Sequence, residues 1–449
     1  MSTIEKHDMT QGKILLPLVS FTIPLVLGNL FQLTYNAADS VIVGKYVGEQ
    51  ALAAVGTSTP IMNIAILLIS GMCMGASVLM SSQYGAKDYD TLSRQISTTM
   101  LAGCGFSVVF SLLMLLLANP VLRLIRVPET AIPEAAAYLR IIFMGLIFTF
   151  MYNFLANTMR ALGDSKTPLY FLVTSAFLNI FGDLFFVVVL RWGVAGRAIA
   201  TVCSEGLCCL LCGIYIKKKI PLLCLGKKWW VFDKSLLGKT VSYGSTSAMQ
   251  QVCLQLGKLI IQSVVNTQGV AVMAAFTAVN RVDDFAYTPQ QNIGHAMTTF
   301  LAQNKGAGHK ERMKKGFQTG LLIELVYSIG LFCVIWGLAP QIMTLFAEDG
   351  DAQVVSLGIS YLHLISWMYI LPGLTNGVQG FFRGIGDLKV TLYSTFMNMF
   401  GRVVAVFVMI RLLQMEFASL AWANMVGWIV MLLFEVPLLV KSMRNGECG

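Results

Sequence analysis

Charge is the scarcest commodity in this chain, and its scarcity excludes the most. Only 12% of the 449 residues are Asp, Glu, Lys or Arg, against 56% hydrophobic residues and a mean hydropathy of +0.70. Too little polar surface remains to clothe a soluble fold of this length. No Cys/His pair has zinc-ligand spacing, although ten cysteines are present. Cys203, Cys208, Cys209 and Cys212 fall inside an apolar run and read as small packing residues. A Walker loop, a Gly-x-Ser-x-Gly elbow and a dinucleotide fingerprint are also missing, so neither an ATPase nor another enzyme is indicated. The opening MSTIEKHDMTQGK is polar and mixed in charge, with no short apolar core leading to a small-residue cleavage site. No cleaved signal peptide is expected.

Long apolar runs are abundant instead. They lie near 14–42, 51–80, 95–118, 132–158, 168–190, 194–216, 236–266, 271–302, 316–339, 354–381, 389–412 and 417–440, each able to cross a hydrocarbon core of roughly 30 Å. The expected fold is an all-α polytopic membrane protein of twelve helices. With the N-terminus inside, 22 of the 32 Lys and Arg fall in inner segments, seven in outer ones and three within spans. That bias predicts both termini in the cytoplasm of a prokaryotic cell, with the protein in its plasma membrane. It also accounts for the net charge of +9 without nucleic acid. The run KKKIPLLCLGKKWW reads as a topogenic loop lying on anionic lipid headgroups.

The chain repeats itself. RALGDSKTPLY from Arg160 returns as RGIGDLKVTLY from Arg383, 223 residues later, and SQYGAKD from Ser82 is echoed by AQNKGAGH from Ala302. Both pairs follow even-numbered helices. Each half therefore holds six spans, and the halves should be related by a pseudo-two-fold axis along the membrane normal. The expected organisation is an N-lobe over 1–216, a basic cytoplasmic loop over 217–235, a C-lobe over 236–440 and a cytoplasmic tail over 441–449. Two such lobes around a cleft suit alternating access.

Polar residues within spans are costly and so mark candidate sites. In the first helix Asn29, Gln32, Asn36 and Asp39 recur on one stripe. In the fifth, Ser175, Asn179 and Asp183 lie four apart, as do Arg197, Thr201 and Glu205 in the sixth. A coupling ion needs a carboxylate that takes a proton or joins neutral oxygens around Na⁺. Asn179, Asp183 and Thr201, with Asp39 facing them, offer that set. Arg197, near the outer end of its helix, is expected to snorkel to the interface.

In the second half, Asn179 corresponds to Arg402, Asp183 to Val406 and Asp39 loosely to Gln262. That lobe is expected to be a polar, non-acidic wall. Arg281 and Asp284 have the spacing of an i, i+3 ion pair, which leaves Asp283 to attract a cation. Glu324 and His363 stand alone, and His363 reads as a packing residue. Arg402, Lys258 and Arg281 are the cations at depth. Twenty-four Met and 27 Phe can line an adaptable cavity for organic cations. Asn36, Gln32, Glu205, Asp283, Asp284 and Arg402 are the candidate substrate-contacting or secondary residues.

The repeated Arg-x-x-Gly-Asp loops, the Gln-x-x-Gly-Ala turn, the first-helix Asp and the twelve-span length resemble the multidrug and toxic compound extrusion (MATE) family, over essentially the whole chain. That resemblance implies secondary antiport, in which an organic and often cationic compound leaves as H⁺ or Na⁺ enters. It implies no further cofactor and no nucleic-acid partner, with a monomer as the working unit. In the branch of the family whose cation site lies in the N-lobe, the matching residues are Asp39, Asn179, Asp183 and Thr201. A related branch uses acids on the seventh and tenth helices, where this chain has Gln251, Gln255, Lys258, Gln262 and Pro372. Pro17 and Pro24 interrupt the first helix, and Pro24 falls where the family has a bending point, so ion binding would be read out as a bend there. The alternative is a lipid-linked oligosaccharide flippase of the same superfamily, which should have a more cationic cavity.

Overall fold

The computed structural model describes residues 8–46, 49–125, 127–129, 131–220, 231–346, 352–413, 415 and 417–444; the side chains at 36–45, 49–54, 346 and 411 lie outside that description. All regular structure among the described residues is helical. The α-helices are α1 Leu15–Tyr46, α2 Glu49–Gly85, α3 Tyr89–Leu124, α4 Ile132–Met144, α5 Leu146–Ala161, α6 Lys166–Asp183 and α7 Gly193–Lys219. The second repeat supplies α8 Lys234–Val265, α9 Val270–Gly306, α10 Lys310–Phe346, α11 Ala352–Ser366, α12 Ile370–Ile385, α13 Leu388–Val406 and α14 Ser419–Arg444. A 46° bend separates α4 from α5, and a 3-10 turn, Trp367–Tyr369, separates α11 from α12. Joined across those breaks, the helices form twelve rods, six in each repeat, as the sequence predicts. Among the described residues nine helices are long and apolar enough to cross a membrane, or ten with the bent pair counted as one. The chain is an all-α integral membrane protein.

The repeat extends into local geometry that its letters do not spell. The break at Gly145 maps at the 223 offset onto Met368, in the 3-10 turn. Likewise α6 runs into a π-helical turn, Leu184–Val189, and α13 into another, Phe407–Leu412, at the same offset. The repeated Gly-Asp pair has one physical job in both halves. Gly163 and Gly386 adopt left-handed φ of 88° and 85°, which glycine takes without a Cβ penalty. The Asp then starts the next helix: Asp164 Oδ1 accepts the backbone N–H of Lys166 and of Thr167 at 3.0 Å each. Asp387 is the N-cap of α13 but caps without a side-chain hydrogen bond.

By contacts the chain divides into two compact units, one comprising Ile23–Ala248 and the other Met9–Thr22 with the chain from Met249 on. In the first unit, Phe143, Phe150, Phe154, Leu139 and Met159 anchor a buried apolar core. In the second, Tyr361, Tyr369, Leu362, Ile365 and Val279 do the same. Outward-facing Leu116, Leu322, Val326, Phe396 and Phe400 remain exposed, as lipid-facing residues should. Pro17 lies in the first turn of α1, where its missing N–H has no helical partner, so it does not interrupt the helix. Pro24 does sit in the helix interior.

Candidate functional site

Within the first unit, α1, α2 and α4 to α7 enclose a cavity of about 450 Å³. Its polar lining includes Asn29, Gln32, Asn63, Asn153, Asn179, Thr201 and Glu205, and Tyr35, Tyr138 and Tyr152 contribute aromatic surface. Pro24 and Ser175 also line it. The α6 stripe explains this placement, because residues four apart point the same way. Asn179 Nδ2 donates to Thr201 Oγ1 at 3.3 Å, and Thr201 Oγ1 donates to the Arg197 carbonyl at 3.2 Å. Asp183, one turn beyond Asn179, is completely buried and is the last residue before the π-helical turn. Such turns re-aim side chains and recur at functional sites.

Asn179, Thr201, Glu205 and Gln32 thus share one cavity, with Asp183 one helical turn from Asn179. Asn36 and Asp39 belong to α1, and their side chains lie outside the described ones. Glu205 has a definite partner, since Thr149 Oγ1 donates to Glu205 Oε2 at 2.5 Å. Arg197 departs from the sequence expectation. It lines the cavity with its guanidinium 5.8 Å from the Tyr138 ring centroid, a cation–π arrangement, because Tyr138 on α4 packs beside it.

Sequence reasoning passed over Thr149, Asn153 and Arg160, all of which line the cavity. The signal was available: Thr149, Asn153 and Asn157 lie four apart on α5, each Asn side chain donating to the carbonyl one turn back at 2.8 Å.

The second unit is not the non-acidic wall that the sequence suggests. Asp283, Glu324 and Glu435 are all buried there. Asp283 accepts hydrogen bonds from Tyr361 Oη at 2.9 Å and Tyr369 Oη at 2.6 Å, and Arg402 acts on it electrostatically. Asp283 is therefore held by protein donors rather than left to attract a cation. The i, i+3 pair is also replaced: Asp284 meets Lys258 of α8 at 3.5 Å, both side chains more than half exposed, because α8 and not the same helix turn supplies the nearer cation. His363 packs its ring against Trp336 at 4.7 Å. Glu435 went unremarked in the sequence although a lone acid in the run MLLFEVPLLV is itself a signal.

Residues 24–185 and 247–409 each match a family model described as MatE, and the two matches begin 223 residues apart. A relative from Bacillus subtilis, named "Probable multidrug resistance protein YpnP", is 32% identical over 392 residues, covering 87% of this chain and 86% of its own. Another from Thermotoga maritima, named "Probable multidrug resistance protein NorM", is 23% identical over 423 residues, covering 92% of this chain and 89% of its own. Among solved structures, a MOP superfamily transporter from Pyrococcus furiosus, described as having a binding pocket of reverse polarity, shares the fold with a TM-score of 0.90. It is 21% identical and the match covers 99% of both chains.

Proposed function

This chain belongs to the MatE family, and from that premise we propose that it is a secondary antiporter exporting amphipathic organic cations in exchange for H⁺ or Na⁺. The observation that carries the reading is the cavity of the first unit, where Glu205, Asn179 and Thr201 meet aromatic walls beside the buried Asp183. Aromatic faces attract organic cations, and a site built from Tyr, Phe and Met accepts varied shapes. A carboxylate at membrane depth that alternates between charged and neutralised forms couples such a site to an ion gradient. In this reading Asp183 and Asp39 bind the ion, Asn179 and Thr201 supply neutral oxygens, and Pro24 lets α1 bend. Both termini face the cytoplasm of a prokaryotic plasma membrane, and the monomer is the working unit.

The test is dye efflux from proteoliposomes of the purified protein, driven separately by a pH gradient and by a Na⁺ gradient. Movement of a fluorescent organic cation with either gradient, lost in Asp183→Asn, is expected. No gradient-driven movement of any cationic dye would overturn the reading.

A second reading rests on Arg160 and Arg197, two guanidinium groups in the cavity lining. They suit an anionic headgroup, as an oligosaccharide flippase requires. Competition by a lipid pyrophosphate, and not by organic cations, would favour it.

A further inference from the structure

Glu324 lies midway along α10 with 1% of its surface exposed, and among the described residues neither carboxylate oxygen meets a hydrogen-bond donor. An ionised carboxylate left bare at membrane depth is strongly disfavoured, so such a group is neutralised by what it binds. The surrounding chemistry is rich in oxygen. Gln290 on α9 uses its Nε2 on Ser328 Oγ at 3.1 Å and on the Tyr369 carbonyl at 2.8 Å, which turns its own Oε1 away, buried and without a donor. Ser328 Oγ is already committed as a donor to the Glu324 carbonyl at 2.7 Å, leaving its lone pairs. The Tyr369 carbonyl is available because the 3-10 turn interrupts the helical ladder there. Unwound carbonyls at broken helices are the groups that coordinate Na⁺ or a proton in other transporter folds.

These groups converge on a space kept open by one residue. A Cβ on Gly373 would stand 2.9 Å from Ser328 Oγ, 3.2 Å from Gln290 Nε2 and 3.4 Å from Glu324 Oε2. The glycine leaves a cradle, lined by acceptors, that a single methyl group would fill.

We propose that Glu324, Gln290, Ser328 and the Tyr369 carbonyl form a binding site for one monovalent cation, a proton or Na⁺, in the second unit. The site is independent of the carboxylates in the first unit. Tyr327 on α10 is the titratable side chain that acts on Glu324 electrostatically, and its hydroxyl donates to the Ala286 carbonyl at 3.1 Å. Asp283 on α9 lies on the far side of Tyr369, bonded to its hydroxyl, and His363 on α11 is stacked on Trp336. Described residues of α12 bring Gly373 and no charge into the cradle.

The test is equilibrium binding on the full chain in nanodiscs, without substrate, in wild type and in an Asp183→Asn background. Two readouts separate the cations: bound radioactive sodium, and the infrared band of a protonated carboxyl followed against pH and Na⁺. If the occupant is Na⁺, saturable sodium binding persists in Asp183→Asn and weakens at least tenfold on adding Glu324→Gln. If it is a proton, a carboxyl band that titrates in wild type is absent from Glu324→Gln and indifferent to Na⁺. Gly373→Ala, which keeps the acid but fills the cradle, and Ser328→Ala, which removes one oxygen, shift whichever signal is found. The site is disproved if Glu324→Gln changes neither readout. It is equally disproved if the Glu324 band stays constant against both pH and Na⁺, which would make the acid a fixed hydrogen-bond donor. Loss of dye efflux in Asp183→Asn with these signals intact separates this site from the transport reading.

Discussion

Tyr369 holds Asp283 by its hydroxyl, at 2.6 Å, while its carbonyl accepts Gln290 Nε2 at 2.8 Å. A one-residue 3-10 position thereby touches two of the buried acids' surroundings, because the break that frees its carbonyl also turns its ring toward α9. Removing its hydroxyl should be felt as stability. Tyr369→Phe leaves Asp283 with one donor in place of two, and losing a bond to a buried charged group costs about 1–3 kcal/mol. Tyr361→Phe should cost more, since Tyr361 Oη also accepts Asn424 Nδ2 at 2.9 Å and its loss strands two partners. Thermal unfolding in detergent checks both the sign and the order; equal midpoints for the two variants would contradict the network.

Much of this was legible in the letters, and the reasons for the rest are specific. The 223-residue repeat fixed the number of spans and the turn glycines, because Gly163 and Gly386 must adopt a backbone conformation that other residues resist. The stripe from Ser175 through Asn179 pointed into the cavity because helical periodicity alone aligns it. The π-helical turns after Asp183 and Val406 were not legible, since the apolar pattern runs through them unbroken. Nor was the fate of Arg197 or Glu324. Which neighbour a helix face meets depends on packing, and a span's own sequence does not encode whether Tyr138 or a lipid headgroup waits beside it.

Asp183→Asn keeps the shape and hydrogen-bonding capacity of the side chain while removing the titratable charge. The variant should insert and fold, yet gradient-driven efflux should fall about tenfold or more, toward background. Asp284→Asn is the matched control. Its carboxylate is more than half exposed and pairs with Lys258 at 3.5 Å, an interaction of little energetic consequence, so efflux should be retained. Equal efflux by wild type and Asp183→Asn at matched expression would remove the first-unit acid from the mechanism.

Membrane orientation is open to direct chemistry. A cysteine at His309, in the turn before α10, should be labelled by an impermeant maleimide from the cytoplasmic side only, and one at Thr267, in the turn before α9, from the outside only. Both positions are exposed, so failure to label from either side would reflect the membrane and not burial. The opposite pattern would invert every loop assignment.

Outside the membrane-spanning segments, Asp233 gives a pH dependence with a definite sign. Backbone N–H bonds from Leu236 at 3.2 Å and Ser235 at 2.8 Å, with Arg94 at 2.5 Å, hold its carboxyl below the usual carboxylate range. A depressed folded-state value means that the stabilisation is present above the unfolded-state value and is lost as pH falls through the folded one. Asp233→Asn should therefore lower the unfolding midpoint at neutral pH, and the gap to wild type should close in acid. A gap that widens on acidification would refute the assignment.

The two Gly-Asp turns, alike in sequence, should differ in energy. Asp164 caps α6 through two backbone N–H groups, and Thr167 Oγ1 also donates to its Oδ2 at 2.5 Å. Asp387, its counterpart 223 residues on, makes no side-chain cap bond. Replacing an N-cap acceptor by alanine typically costs about 0.5–2 kcal/mol, and the cost arises from helix N–H groups that lose their partner. Asp164→Ala should thus destabilise by an amount in that range, and Asp387→Ala by distinctly less. Denaturant unfolding of the two variants side by side reads the difference; the reverse order would mean that the repeat's second turn is capped by a bond formed only away from this conformation.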